Sequence, residues 1–499
     1  MAFSLPRKFD QLRPEVRPTP QSHRGQSLVP ILRLQWNRAA QRFALAILTG
    51  WLAIPASPAA AQRATLERIT RHETLPNGLE VIVVENHSVP LATAEVVVRA
   101  GAMIQQPEDQ GVPHLYEHML FRGYQGPHDE SFRQMAAELK AAFNGTTSDE
   151  TVSYYMILPS ANVGGAVDAL ADLVRRPRFV KDDLMRERFV VLGEYQRRLS
   201  EPAFSLSRSV DILLWGDGFA QKNTIGDQSS VLTVTSEHLD EIFHRYYVPN
   251  NAALIVTGDV STPAVFEMAR HAFGGWARRD DPFKVHPVEP VPPLAASRAV
   301  LVAGDVSDVT IEIAWQGPGV RKEPDATYAA DVFSDLVNDD RSGFQQRLVD
   351  SGLFQSLSVG YNTLANTGPI ELHGVTTVKQ LPGALTGLQT ELQMMSDTAY
   401  FSAADLEIAK KRRAVATVLR LEQGLGLAQT VGELWSVAGL DYHLGYVDNL
   451  SARSLGDVRH FVAQYLVDKP LVIGALTSEQ NGKDVSRILA QYLSFVNEK

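Results

Sequence analysis

Asp280–Leu294 reads DDPFKVHPVEPVPPL and holds five prolines. Proline fixes φ and supplies no backbone donor, so this stretch is expected to be a stiff extended linker rather than a helix or a strand. With the linker taken as 281–295, the chain divides into 64–280 and 296–499, each somewhat over 200 residues and long enough to bury its own core. The two sides then run in a similar order. The first opens with Leu79–Glu85 (LEVIVVE) and Ala92–Arg99 (ATAEVVVR), strand-like by their β-branched content. Helical patterns follow at 113–121 and 130–139, strand-like runs at 141–146 and 152–159, and helices at 163–174, 182–199 and 236–246. It closes with Asn251–Thr257 (NAALIVT).

The second side opens with strand-like Arg298–Val302 and Thr310–Trp315. Helices follow near 325–336 and 344–350, and strands near 357–361 and 369–374. Three helical stretches are expected over 378–452, and Pro470–Leu476 (PLVIGAL) mirrors Asn251–Thr257. Strands and helices in mixed order, without strict β-α-β alternation, predict an α+β fold: two homologous halves, each an antiparallel or mixed sheet with helices packed on it.

Outside the halves lies a different kind of segment. Residues 1–61 carry eight Lys/Arg and two Asp/Glu, and their excess of six positive charges takes the remaining chain from a net −10 to −16. Phe43–Ile54 (FALAILTGWLAI) is an uncharged apolar run, preceded by Arg38 and Arg42 and followed by Ala59-Ala60-Ala61. Basic flank, short apolar core and small-residue end make a secretory signal cleaved after Ala61. The run is too short to span a bilayer, so no stable membrane span is expected after cleavage. The basic stretch before it is unusually long and proline-containing, so translation is expected to start further downstream. A periplasmic destination follows, and a chain with no cysteine suits that oxidising space. The absence of cysteine also excludes a thiolate zinc site and a thiol nucleophile. The acidic balance argues against a general nucleic-acid binder.

Within the first half, Pro113–Arg122 reads PHLYEHMLFR, and His114 to His118 is an H-x-x-E-H pentapeptide. On a helix, His114 and His118 are four apart and share a face, where two imidazoles can grip one Zn²⁺. Glu117 edges the same face and is placed to act as general base toward water. A third ligand is expected from a carboxylate on another element. Met185–Leu199 (MRERFVVLGEYQRRL) offers Glu187 and Glu194, seven apart and so on one face of a helix.

These residues resemble the pitrilysin/insulinase family of zinc metallopeptidases, the inverted zincins, in which H-x-x-E-H is followed 76 positions later by Glu, here Glu194. The resemblance extends to His118–Gly123, to Phe143–Ser148 with Asp149, Thr151, Tyr154 and Tyr155, and to Tyr246–Asn251 with Gly258-Asp259. It spans 64–499 and is strongest in the first half. The resemblance implies zinc, one per chain, on His114, His118 and Glu194, with Glu117 polarising the attacking water. It implies Glu187 as the carboxylate that orients a ligating histidine. Asn144, Gly145 and Thr146 would lie on an edge strand that pairs with extended peptide substrate. Two such halves would form a clamshell that hydrolyses peptides or unfolded segments.

One departure from the family pattern stands out. Active members carry an Arg and a Tyr seven apart in a half without zinc. The similar segment here, Gln346–Gln355, aligns Leu348 and Gln355 at those positions, and a shift by one recovers Arg347 but not the Tyr. The resemblance therefore implies a heterodimer similar to the mitochondrial processing peptidase type, in which a homologous subunit lacking zinc supplies the pair. The competing reading is a peptide-binding or scaffold protein with a relic zinc site. A structural zinc protein fits least, because such a site is closed by four protein ligands.

Overall fold

The computed structural model describes residues 58–123, 132–219, 224–421 and 424–497. Two sheets organise it. The strands of the first are β1 (Thr70–Thr74), β2 (Glu80–Glu85), β3 (Leu91–Val98), β4 (Ala142–Thr147), β5 (Val152–Pro159) and β6 (Ala252–Gly258). Those of the second are β7 (Arg298–Ala303), β8 (Val309–Gln316), β9 (Ser356–Tyr361), β10 (Pro369–Thr376) and β11 (Val472–Thr477). The first sheet runs β1-β2-β6-β3-β5-β4 and the second β7-β11-β8-β10-β9. Apart from the added β1, the two orders coincide strand for strand. In each, the first and last of these strands pair in parallel, β2 with β6 and β7 with β11, while the other pairs are antiparallel. The expected α+β fold of two homologous halves with mixed sheets is what the chain adopts.

The inner strands β2, β3, β6 and β11 read as nearly continuous apolar runs because both their faces are covered. Val81 and Val83 of β2 join the main core of the first half, where helix Val163–Arg175 packs. Ile82 and Val84, on the opposite face, meet helix α5 (Gly424–Ala438) of the second half through Leu427, Ala428, Val431 and Trp435. The first half returns the contact: helix α4 (Pro202–Phe219) lays Leu206, Val210 and Leu214 on Ala314, Val472 and Leu476 of the second sheet. Each half therefore covers the other's outer sheet face. Arg99 ties the seam further, donating to the Ser436 and Trp435 carbonyls at the end of α5 at 3.0 and 3.2 Å.

Several expectations change. The linker contains one helical turn, Pro282–Val285, because the Asp281 carboxylate accepts from the Phe283 N–H at 3.0 Å and proline suits a first helical position. The stretch 378–452 holds four helices: Leu381–Met394, Ala403–Leu421, α5, and α6 (Leu440–Ser451) beyond Gly439 at φ +86°. Gly216-Asp217-Gly218 lies within α4, where Gly216 at φ +68° breaks the helical path. In the basic run 410–413, Arg413 makes a paired contact with Asp335 at 2.7 and 2.8 Å.

The basic region and apolar core of the expected signal lie outside the described residues. Ala59–Ala61 begin helix α1 (Pro58–Ile69), which continues past the expected cleavage point, buries Leu66 and packs against α6. Among the described residues no helix is long and apolar enough to cross a membrane.

Candidate metal centre

Helix α2 (Val112–Leu120) opens at Gly111, whose φ of +85° suits glycine and whose missing Cβ leaves room for the Ile225 carbonyl, 2.6 Å from where a Cβ would stand. Pro113 falls in the first turn, where its missing N–H costs nothing. Leu115, Tyr116, Met119 and Leu120 are buried in the core, which leaves His114 and His118 together on the remaining face. Helix α3 (Lys181–Leu199) runs beside it and turns Leu184, Glu187 and Val191 inward. The Nε2 atoms of His114 and His118 stand 3.7 and 3.8 Å from Glu194 Oε2, and the three ligand atoms lie within 4.8 Å of one another. All three side chains are half-buried. These separations are too long for hydrogen bonds. They suit a Zn²⁺ ion, which at bond lengths of about 2.0–2.2 Å spaces tetrahedral ligands roughly 3.4 Å apart. His, His and Glu form a donor set suited to that ion, and the residues present fit it.

Glu187 does different work from Glu194. It is 3% exposed, and its Oε2 lies 3.0 Å from His118 Nδ1 while its Oε1 pairs with the Arg122 guanidinium. That contact favours the His118 tautomer with the proton on Nδ1, leaving the Nε2 lone pair facing Glu194. His114 has no such partner on its buried Nδ1. Burial, with smaller contributions from His118 and Arg198, lowers the His114 pKa to about 3, so the ring is neutral.

Glu117 is buried on α2 against strand β4. Thr147 Oγ1 donates to its Oε2 at 2.6 Å. A Cβ at Gly145 would stand 2.7 Å from Glu117 Cγ and Oε1, so the glycine makes room for the carboxylate. Burial pushes the Glu117 carboxyl above the ordinary range, the Thr147 hydroxyl and His118 pull it back, and Glu194 adds to the rise. Asn144, Gly145 and Thr146 do lie on a strand, and β4 closes the sheet at its end among the described residues. The contact of Thr147 with Glu117 carried no signal in the sequence beyond its place in a run of small polar residues.

In the second half, Leu348 is 1% exposed in the core. Arg347 grips Glu391 in a two-pronged contact at 2.6 and 2.8 Å, and Tyr400 shares that carboxylate. The arginine that a shifted alignment could have recovered is thus engaged within its own half.

Fold and site together define a duplicated α+β protein with a His-His-Glu centre formed by an H-x-x-E-H helix and the helix beside it, the arrangement of a metallopeptidase. The chain belongs to the insulinase-type peptidase family M16. The model of Insulinase (Peptidase family M16) matches residues 80–218, and that of the Peptidase M16 inactive domain matches 233–413. The chain is 24% identical over 454 residues to the mitochondrial-processing peptidase subunit beta of Lentinula edodes, covering 86% of this chain and 94% of that one. It is 25% identical over 387 residues to an uncharacterised zinc protease of Mycobacterium tuberculosis, covering 76% and 85%. A protease from Helicobacter pylori has a similar fold, with a TM-score of 0.72 at 19% identity over 82% of this chain and 99% of that one. The relatives support a peptidase role with zinc.

Proposed function

We propose that this chain is a zinc-dependent endopeptidase that hydrolyses peptides or unfolded segments bound in extended form. The observation that carries the reading is the convergence of His114, His118 and Glu194 on one point, with the Glu117 carboxylate on the same helix. A zinc ion held by those three residues, one per chain, supplies Lewis acidity toward the scissile carbonyl and acidifies water. Glu117 takes the proton of the attacking water and passes it to the leaving amine. Its raised proton affinity suits both transfers. The Thr147 hydroxyl holds Oε2, which fixes the carboxylate's orientation. Glu187 keeps His118 in the ligating tautomer. The free side of β4 at Asn144–Thr146 pairs with substrate backbone, giving affinity with little sequence demand.

The test is peptide cleavage by purified 62–499, read by mass spectrometry, beside Glu117→Gln. Cleavage that vanishes in the variant while zinc content stays at one per chain is the expected result. Equal cleavage by both proteins would overturn the reading.

The partner is part of the same proposal. With Leu348 buried and Arg347 held by Glu391, a homologous subunit without zinc supplies the Arg and Tyr donors for the developing oxyanion. Full activity from a purified monomer or homodimer would refute that pairing. The N-terminal signal directs export to the periplasm, and fractionation of cells expressing the full chain, with N-terminal sequencing of the mature form, checks it.

A further inference from the structure

The second half meets the β4–β5 hairpin of the first at a buried carboxylate. Glu150 sits in the turn between β4 and β5 and is 4% exposed. Both its oxygens lie within reach of the Ala365 N–H, at 3.0 and 3.1 Å, across the seam in the loop between β9 and β10. That loop is firmly held. Val320 N donates to Leu364 O at 2.9 Å, Arg321 N to Ala365 O at 3.0 Å and Gly368 N to Pro318 O at 2.9 Å. A Cβ at Gly319 would stand 1.9 Å from the Asn366 carbonyl oxygen, so the loop lies directly against that backbone.

The turn is equally ordered on its own side. Ala102 N and Met103 N donate to the Ser148 and Asp149 carbonyls at 3.0 and 2.7 Å, and the Ser148 and Thr151 hydroxyls meet at 2.9 Å. Much of it also faces a cavity of about 280 Å³ between the halves, lined by Ser148, Thr151, Tyr361 and Thr363. The Glu150–Ala365 contact crosses the seam beside that cavity. Three residues back along the hairpin is Thr147, whose hydroxyl holds Glu117, and two before that is Gly145, whose backbone lies against the same carboxylate.

We propose that Glu150 is a positioning residue: through the Ala365 N–H, the second half sets the β4–β5 hairpin, and Thr147 on that hairpin sets Glu117. A charge-assisted hydrogen bond between two ordered loops is suited to the task, because a misplacement of about 1 Å at a reacting group costs on the order of a hundredfold in rate. The inference rests on the peptidase reading for its kinetic consequence but not for its mechanical one.

The test uses the chain as purified for cleavage, with Glu150→Ala, Glu150→Gln, Thr147→Val and the Glu150→Ala/Thr147→Val double variant, beside wild type and Glu117→Gln. Hydrogen exchange is read first, since it needs no activity. Glu150→Ala should speed exchange of the amides at 142–147 by about tenfold or more while β2, β3 and β6 keep their protection. Glu150→Gln, which keeps an acceptor for Ala365, should restore β4 protection. In cleavage, Glu150→Ala should lose about 10- to 100-fold in kcat at full zinc content, with Glu150→Gln within about threefold of wild type. The double variant should be no worse than the weaker single one, because both act along one path. Unchanged exchange in β4, loss of protection throughout the first sheet, or multiplicative kinetic losses would each overturn the inference. A zinc-loaded wild type that cleaves nothing would point to the missing partner subunit instead, and the exchange result would still decide the role of Glu150.

Discussion

Glu187 and Glu194 show what a single side chain's surroundings decide. Seven residues apart on α3, the two are equivalent by spacing, and either could be read as a ligand. In the fold Glu194 Oε2 meets both imidazole Nε2 atoms, whereas Glu187 is buried against His118 Nδ1 and Arg122. Removing Glu187 leaves every ligand in place but frees the His118 ring and leaves Arg122 without its buried partner. Glu187→Ala is expected to weaken zinc binding about 10- to 100-fold, measured by competition with a chromogenic chelator, with the secondary structure unchanged. His114, His118 and Glu117 were legible because their relation is the helical repeat itself. Thr147 was not, being thirty positions from Glu117 and brought to it only by the pairing of β4 with β5.

At the scale of elements, the crossed helices are the feature that reading along the chain missed. Helix α4 has its apolar residues at Leu206, Val210 and Leu214, a regular four-residue spacing, but polar neighbours and the Gly216–Gly218 segment obscured it. Helix α5 seats on the first sheet at Gly432, where a Cβ would stand 2.7 Å from Val97 Cγ2 and 3.1 Å from Ile255 Cδ1. A larger side chain there must lift the helix or bend the sheet. Gly432→Leu should destabilise the protein by about 1–3 kcal/mol in urea unfolding. Zinc content should stay unchanged, because the site lies on α2 and α3. A variant as stable as wild type would mean that α5 is loosely seated.

For the molecule as a whole, the seam between the halves buries several acids whose burial outweighs the partners that would hold them charged. Glu95 lies under α5, 1% exposed, with Oε2 unpartnered. Burial raises its pKa to about 7, opposed by a Ser153 hydrogen bond and reinforced by Glu433. Asp211 on α4 rises to about 8, chiefly through burial, with Glu371, Asp149 and Glu312 adding to it. Glu312, which accepts from Ser207 Oγ at 2.6 Å, is raised as well. In the unfolded chain such carboxyls lose their protons near 4.5 and 3.8, whereas the folded ones retain them. Their stabilising contribution is therefore complete below the unfolded values and is lost as pH rises through about 7 and about 8. Unfolding free energies from urea titration should fall between about pH 5 and pH 9, by roughly 3 kcal/mol for the Glu95 share. Glu95→Gln should flatten that slope. A slope that persists unchanged in the variant would assign the loss elsewhere.

The amino-acid sequence by itself determined the duplicated α+β order, the paired histidines on one helix face and the glutamate beside them. Each follows from rules that act over a few residues: strand alternation and the helical repeat. Tertiary structure decided which glutamate faces the metal point, what holds Glu117, and how the second half takes hold of the first. Thr147 and Glu117 are 30 residues apart, Arg99 and Ser436 337, and Glu150 and Ala365 215. No local period links residues at such separations. They meet because two sheets, each needing cover on its outer face, exchange helices to bury it.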